Sequence, residues 1–244
     1  MAQWFKDWFN SPYYHQLYYD RDDTEAAQFI SLLLQYLQPK PNSYLLDVAC
    51  GKGRHAKIMN ALGHIVTGID IAPDSIAEAQ QYATDTLEFY EADMRQTFRV
   101  NYYHYVFNLF TSFGYFSTSA ESNAALRTMA QALLPKGYLV IDYLNSSYIA
   151  QHLVATETKV INDSTYTITR QLVSNRFVKN IAITNNMHSQ PLQYTEQVSA
   201  YTLANFETML AKQGLAIQHL FGSYTLQPFN INESKRLIII AQKL

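Results

Sequence analysis

The chain has 244 residues, 20 acidic and 18 basic side chains, and a formal net charge of −2. This length suits one α/β domain that can bury a full core. The near-neutral net charge does not indicate a basic surface of the kind that binds a polyanion, so nucleic acid is disfavoured as a partner. The single cysteine, Cys50, excludes an intrachain disulfide and a cysteine-based zinc site.

No stretch has the signature of a secretory or membrane segment. The first residues lack a basic region followed by a long apolar run. The longest aliphatic runs, such as Leu237 to Ala241, have the length of a strand and fall short of a membrane span. We therefore expect a cytoplasmic protein with no membrane partner.

The N-terminal region is predicted to be helical. Its aromatic residues on one helical stripe are Trp4, Phe5, Trp8 and Phe9. Ser11-Pro12 ends this helix, and a second helix is predicted from Thr24 to Leu37. We interpret residues 1–40 as a helical lid over a site. Packing of the first helix on the core or on a second subunit is the alternative.

The middle of the chain alternates strands and helices. The predicted strands are 44–49, 65–70, 87–90, 103–109 and 137–143, and the predicted helices are 54–62, 73–83 and 120–134. From 158 to 202 the pattern changes to strand, turn and strand, with hairpin turns predicted at Asn162-Asp163 and Ser174-Asn175, which predicts an antiparallel β insertion. A helix at 203–213 and strands at 216–223 and 236–242 follow. We therefore expect residues 1–244 to form one α/β domain, a Rossmann-like sheet with helices on both faces and an antiparallel β insertion after strand five.

The segment from Leu45 to Ala56 carries the strongest functional signal. An apolar strand runs into Asp47, then into a turn with Gly51 and Gly53, then into a helix. Gly51 allows a turn with positive φ, and we expect Gly53 to let the backbone approach a ligand closely. The next strand ends in Asp70, which is placed to bond ribose hydroxyls. This pattern also fits a nicotinamide-dinucleotide site.

Two acidic residues argue against the dinucleotide interpretation. Asp47 would lie near a pyrophosphate, which gains nothing from a buried negative charge. Asp93 follows the third strand and adds another carboxylate to the same edge of the sheet. Three carboxylates suit a ligand with a positive centre, a ribose and an amino-bearing base, and S-adenosylmethionine is such a ligand.

These residues resemble a known family. Leu45 to His55 resembles motif I of the class I S-adenosylmethionine-dependent methyltransferases, and Ala92 to Arg95 resembles their adenine-side motif. Asn108 to Phe116 resembles the segment after strand four in the bacterial small-molecule branch, which includes amino-sugar N,N-dimethyltransferases. The similarity covers roughly residues 13 to 145 well. It implies a methyltransferase sheet and S-adenosylmethionine as methyl donor, with S-adenosylhomocysteine as product.

The resemblance also implies a donor site. The residues expected in it are Tyr14, Arg21, Asp47, Ala49, Gly51, Gly53, His55, Asp70, Ile71, Asp93, Met94, Asn108 and Leu109. Tyr14 and Arg21 are candidates for the carboxylate of the ligand, although Arg21 could instead pair with a neighbouring aspartate. Asp93 is expected to bond the adenine amino group, and a loop aspartate that bonds its own backbone is the alternative.

The acceptor side leaves a weaker signal, because displacement at a sulfonium needs position and a dry pocket more than a catalytic group. Tyr115 and His188 are the candidate catalytic residues, and no metal is expected. The insertion is expected to cap the acceptor or to pair two subunits in a homodimer. We expect methyl transfer to nitrogen or oxygen of a small molecule. The alternatives are a non-catalytic binding protein and a tRNA or protein methyltransferase.

Overall fold

The computed structural model describes residues 4–18 and 23–244. The strands of these residues are β1 (Tyr44–Val48), β2 (Ile65–Asp70), β3 (Leu87–Glu91), β4 (Tyr103–Asn108), β5 (Leu133–Leu144), β6 (Thr156–Ile161), β7 (Ser164–Val173), β8 (Arg176–Asn185), β9 (Leu192–Ser199), β10 (Leu215–Phe221) and β11 (Arg236–Lys243). The α-helices are α1 (Trp4–Phe9), α2 (Pro12–Leu17), α3 (Asp23–Leu37), α4 (Arg54–Ala61), α5 (Pro73–Ala79), α6 (Ser119–Ala132), α7 (Ser146–Gln151) and α8 (Leu203–Ala211).

Seven strands form the main sheet in the order β3-β2-β1-β4-β5-β11-β10. The first five are parallel, whereas β11 runs antiparallel to β5 and β10 antiparallel to β11. The direction of winding reverses between β1 and β4, which lie side by side. In an open α/β sheet a ligand binds at the carboxyl ends of the strands beside such a reversal. The predicted fold class is confirmed.

The main sheet is buried on both faces, which explains the apolar runs of its central strands. One face carries α3 and α4, where Phe29 and Leu33 pack against Leu45 and Val66. The other face carries α6 and α8, in a cluster that includes Phe206. The third helix is therefore part of the core, and the lid predicted for residues 1–40 stays a prediction for α1 and α2.

The predicted insertion is a separate antiparallel sheet of β6, β7, β8 and β9. Its first two turns lie where the sequence predicted them, at 162–163 and 174–175. Asn162, Ser174 and Asn175 there have φ of 51°, 49° and 60°. Positive φ at these positions matches the twist of a tight β-hairpin.

Some element boundaries differ from the prediction. β5 begins at Leu133 because its first residue pairs with Tyr103 of β4. The helix predicted over 73–83 ends at Ala79 and continues as a 3-10 turn over Gln80–Tyr82. The sequence prediction missed α7 altogether. Within the part of the chain that the structure describes, no helix combines the length and the apolar character needed to cross a membrane.

Candidate functional site

A cavity of about 450 Å³ opens at the carboxyl ends of the parallel strands. That volume lies in the usual range for sites that hold a small molecule. Residues from the glycine turn, the end of β2, the segment after β3 and the segment after β4 form its floor. The ones expected from the sequence are Asp47, Ala49, Gly51, His55, Asp70, Ile71, Asp93, Met94 and Leu109.

The two glycines of the turn have different roles. Gly51 has φ of +55°, and a Cβ added there would meet no atom within 4 Å. Gly53 has φ of +77°, and a Cβ there would lie 2.6 Å from the Phe89 ring. Gly53 is therefore required for packing against β3, and the expectation that it lets the backbone approach a ligand stays a prediction. Gly51 leaves open space at the cavity.

Asp70 fixes the shape of the turn from the end of β2. One carboxylate oxygen accepts from the Gly51 backbone N–H at 2.8 Å, and the other accepts from that of Ala72 at 2.8 Å. Burial raises the pKa of Asp70, although these backbone donors act in the opposite direction. The side chain lines the cavity. It is thus placed to hold the turn and to accept a ligand hydroxyl.

Asp47 is a buried acid with incomplete hydrogen bonding. It is 1% exposed, and its Oδ2 has no hydrogen-bond partner among the described residues. Burial, and then the charge of Asp70, raise the pKa of Asp47 to about 7. A cation in the cavity would offset this penalty, because an opposite charge nearby favours the ionised carboxylate. The site is therefore chemically suited to a positively charged ligand.

Asp93 lies in the cavity wall, but its carboxylate already has a partner. Arg95 donates to both oxygens, with Nη2 at 2.5 Å from Oδ2 and Nε at 3.0 Å from Oδ1. Arg95 also contacts Glu121 at 2.6 Å. The adenine contact expected of Asp93 stays a prediction, and the ligand would share this carboxylate with Arg95. Met94 lines the cavity beside it.

The segment after β4 divides between the cavity and the core. Leu109 and Phe110 line the cavity, and the His55 ring stacks on Phe110 with 4.9 Å between centroids. Asn108 is fully buried and donates to the Val48 carbonyl at 3.1 Å. It lies outside the residues that line the cavity, because its side chain turns inward to link β4 to β1. The structure thus gives the Asn108 amide N–H a structural contact, whereas its Oδ1 has no hydrogen-bond partner among the described residues, and the expected ligand contact stays a prediction.

Helices α1 and α2 cover the cavity with aromatic side chains. The lining residues on and just after these helices are Phe5, Phe9, Tyr14, His15 and Tyr18. The Phe9 ring lies 5.1 Å from the Tyr14 ring and 5.1 Å from the Tyr115 ring, so cover and floor meet directly. Arg21, expected beside Tyr14, lies outside the described residues. That these two helices move as a lid stays a prediction.

The antiparallel sheet supports this cover from behind. Glu196 on β9 accepts from Trp8 Nε1 at 2.7 Å and from the Tyr18 hydroxyl at 2.7 Å, and its carboxylate lies 3.3 Å from Lys179 Nζ. Among the described cavity-lining residues, none comes from β6 to β9. The expected direct contact of the insertion with an acceptor therefore has no support in this geometry. The sheet contacts α1 and the end of α2, and these elements line the cavity.

The two candidate catalytic residues have different positions. Tyr115 lines the cavity, and its hydroxyl donates to the Thr111 carbonyl at 2.6 Å. His188 is exposed in the turn between β8 and β9, and its ring lies 3.0 Å from the Tyr13 hydroxyl. That turn is not part of the cavity wall, so the geometry supports Tyr115 as a site residue and does not support His188.

The sequence prediction missed several residues at the cavity. Lys52 and Glu78 form an ion pair of 2.6 Å there, and His15 lies near both. Burial, and then the charge of Lys52, lower the pKa of His15. No sequence pattern marks these residues, since the glycine turn, α5 and α2 supply one each. Only the fold brings them together.

The methyltransferase-domain family model matches residues 39–214. The chain belongs to that family. The match covers the whole Rossmann-like sheet except its last two strands, together with the antiparallel insertion. The family membership that the motifs indicated is thereby confirmed.

Two curated relatives illustrate the range of the family. The chain is 33% identical over 118 residues to a dTDP-3-amino-3,6-dideoxy-alpha-D-glucopyranose N,N-dimethyltransferase of Streptomyces fradiae, covering 48% of this chain and 45% of that protein. It is 26% identical over 237 residues to the glycine N-methyltransferase of Rattus norvegicus, covering 85% and 78%. The chain spans about half of the length of the sugar methyltransferases that it matches.

Solved structures show the same fold. An S-adenosylmethionine-dependent methyltransferase from Clostridium acetobutylicum matches with a TM-score of 0.78 at 15% identity, over 94% of this chain and 95% of that one. CalS10, an amino pentose methyltransferase from Micromonospora echinaspora solved with S-adenosylmethionine bound, matches with 0.71 at 19% identity, over 96% and 98%. At these identities the likeness shows the fold alone.

Proposed function

We propose that this protein transfers a methyl group from S-adenosylmethionine to an amine nitrogen of a small molecule. The observation that carries the proposal is the buried, incompletely bonded carboxylate of Asp47 beside Gly51 and Asp70 in the cavity. A sulfonium ligand with an ammonium group supplies the positive charge that this site lacks. The family membership supports the reaction class, and the named substrates of the relatives favour nitrogen over oxygen.

The chain's own residues would bind the donor in one orientation. Asp70 would accept from ribose hydroxyls, the open space at Gly51 would admit the amino-acid portion, and Asp47 would face the positive end. Met94 and Ile71 would pack on the base. The expected roles of Ala49, His55 and Leu109 are contacts in the wall of the same cavity.

The reaction itself is an in-line displacement. The amine lone pair forms the new C–N bond while the C–S bond breaks, and sulfur keeps the electron pair as a neutral thioether. The resulting ammonium then loses a proton to solvent or to a nearby base. The aromatic cover of Phe5, Phe9 and Tyr14 would exclude water and hold the amine in line.

Methyl transfer can be tested with donor carrying a labelled methyl group. Two acceptors follow from the relatives, dTDP-3-amino-3,6-dideoxyglucose and glycine, and fractionated small metabolites extend the search. We expect label on an amine product with the wild type and a large loss with Asp70→Ala. If S-adenosylhomocysteine binds but neither small molecules nor macromolecules gain label, the protein is a non-catalytic binding protein. Label that enters only tRNA or protein contradicts the small-molecule acceptor.

A further inference from the structure

Behind the cavity wall lies a buried acid that the proposed reaction does not use. Asp142 is on β5 and is 0% exposed. It is absent from the cavity-lining residues of the described chain. Its carboxylate Oδ1 accepts from Arg236 Nε at 2.8 Å, and Arg236 Nη2 also lies 2.7 Å from this oxygen. The pair joins β5 to β11 directly below the segment that follows β4.

The same carboxylate holds a strained turn. Its Oδ2 accepts from the Phe110 backbone N–H at 2.8 Å, and the Asp142 carbonyl accepts from the Thr111 N–H at 2.9 Å. Arg236 adds a bond to the Thr111 hydroxyl at 2.9 Å. Phe110 and Thr111 have φ of 56° and 60°. Two consecutive non-glycine residues in the left-handed region persist only where their surroundings hold them.

Each of the two residues of this turn makes a contact with a residue that lines the cavity. The Phe110 ring stacks between Tyr224, at 5.0 Å, and His55, at 4.9 Å. The Thr111 carbonyl accepts the hydroxyl of Tyr115 at 2.6 Å, and Tyr115 meets the α1 cover. Burial raises the pKa of Tyr224, so its hydroxyl remains a donor to Asp142, 3.2 Å away.

We propose that Asp142 and Arg236 form a clamp that holds the Phe110–Thr111 turn and so positions Tyr115 at the cavity. Asp142 is a positioning residue, because it acts on the cavity through the turn and touches no ligand. That Tyr115 contacts the acceptor rests on the proposed function. The hydrogen bonds that connect Asp142 to Tyr115 through the turn do not depend on the proposed function.

The link can be tested without any ligand. NMR spectra of protein with ring-labelled tyrosine report each phenol, and Tyr115→Phe identifies the Tyr115 signal. We expect Asp142→Asn to shift that signal, because the Phe110 N–H and Arg236 lose a charged partner. Asn60→Ala is the matched control, since its amide donates to the His64 and Thr86 carbonyls at the amino ends of the strands. This control should leave the Tyr115 signal in place.

A second variant covers the case in which Asp142→Asn does not fold. Thr111→Val removes only the bond from Arg236 to the Thr111 hydroxyl and keeps the size of the side chain. It should shift the Tyr115 signal in the same direction by a smaller amount. An unchanged Tyr115 signal in every folded variant of the clamp overturns the proposal.

Turnover gives an independent readout. With dTDP-3-amino-3,6-dideoxyglucose as acceptor, Asp142→Asn should lower kcat/KM by about tenfold, since small displacements of a site residue are costly. Its Kd for S-adenosylhomocysteine should change by a smaller factor, since Asp142 reaches the donor wall only through the stacking of Phe110 on His55. The double variant with Tyr115→Phe should be no worse than the poorer single variant, and multiplicative losses would contradict the clamp. If the wild type binds no donor, the proposed function fails, whereas the NMR result still decides the clamp.

Discussion

At the scale of single residues, the buried carboxylate of Asp47 lowers the stability of the ligand-free protein when it is ionised, and the same charge favours a positively charged ligand. The raised pKa of Asp47, about 7, means that the folded protein holds this proton more tightly than the unfolded chain does. Between the unfolded pKa and that value, unfolding therefore releases a proton. The free energy of unfolding of the ligand-free protein should fall as the pH rises from about 4 to about 7. The raised pKa of Asp70 acts in the same direction.

Asp47→Asn should remove much of this pH dependence. Urea unfolding at pH 5 and at pH 7.5 measures it, and we expect the variant to be more stable than the wild type at pH 7.5. The same variant should bind S-adenosylhomocysteine more weakly, because its ammonium loses a negative partner. A variant that is less stable at pH 7.5 than the wild type would show that Asp47 is not an uncompensated acid.

Asp70→Ala tests the ribose contact. The variant should weaken S-adenosylhomocysteine binding by about 1–3 kcal/mol, the scale of a charge-assisted hydrogen bond. Part of this loss comes from the turn, because Asp70 also accepts from the Gly51 and Ala72 N–H groups. Calorimetric titration gives the value. An unchanged affinity would place the ribose contact elsewhere.

The two glycines of the turn offer a matched pair of substitutions. Gly53→Ala should destabilise the fold by about 1–3 kcal/mol, since its methyl group would press into the Phe89 ring. The methyl group of Gly51→Ala would contact no atom, so the variant should lose stability only through the positive φ of this position. The same methyl group would occupy space at the cavity. Thermal unfolding and S-adenosylhomocysteine affinity should therefore separate the two variants. Equal losses of stability would contradict the different roles.

At the scale of elements, the cover of the cavity depends on Glu196. This carboxylate accepts hydrogen bonds from Trp8 and Tyr18 and pairs with Lys179, so it connects α1 and the end of α2 to the antiparallel sheet. Glu196→Gln should loosen the cover, which limited proteolysis within the first twenty residues would detect. Affinity for S-adenosylhomocysteine should fall as well, because the cover lines its cavity.

Glu157→Gln is the control for this experiment. Glu157 is a carboxylate of the same sheet that pairs with Arg170 and lies on the edge strand β6. Its loss should leave the proteolysis of the N-terminal helices unchanged. If both variants are cleaved alike, the sheet as a whole and not Glu196 secures the cover.

At the scale of the whole molecule, local sequence patterns predicted the sheet and the glycine turn well. Strands that are buried on both faces appear in the sequence as apolar runs, and a glycine indicates a turn that needs a positive φ. Asp47 and Asp70 could be placed because the backbone of a parallel strand fixes where its carboxyl end lies. These features depend on neighbours along the chain.

Contacts between distant segments were beyond such patterns. Arg236 reaches Asp142 across 94 positions, and Trp8 reaches Glu196 across 188. His188 looked available for the substrate, but the direction of its hairpin depends on how the second sheet packs on α1 and α2. The contact of Asn108 is a similar case, because its amide reaches the Val48 carbonyl across 60 positions.

We infer that the cavity beneath α1 and α2 is an S-adenosylmethionine site. Calorimetric titration of the wild-type protein with S-adenosylhomocysteine, and separately with NAD, tests it most directly. We expect S-adenosylhomocysteine to bind in the micromolar range and NAD to give no binding, because a pyrophosphate gains nothing beside the buried carboxylate of Asp47. Binding of NAD without binding of S-adenosylhomocysteine would show that the cavity is not an S-adenosylmethionine site.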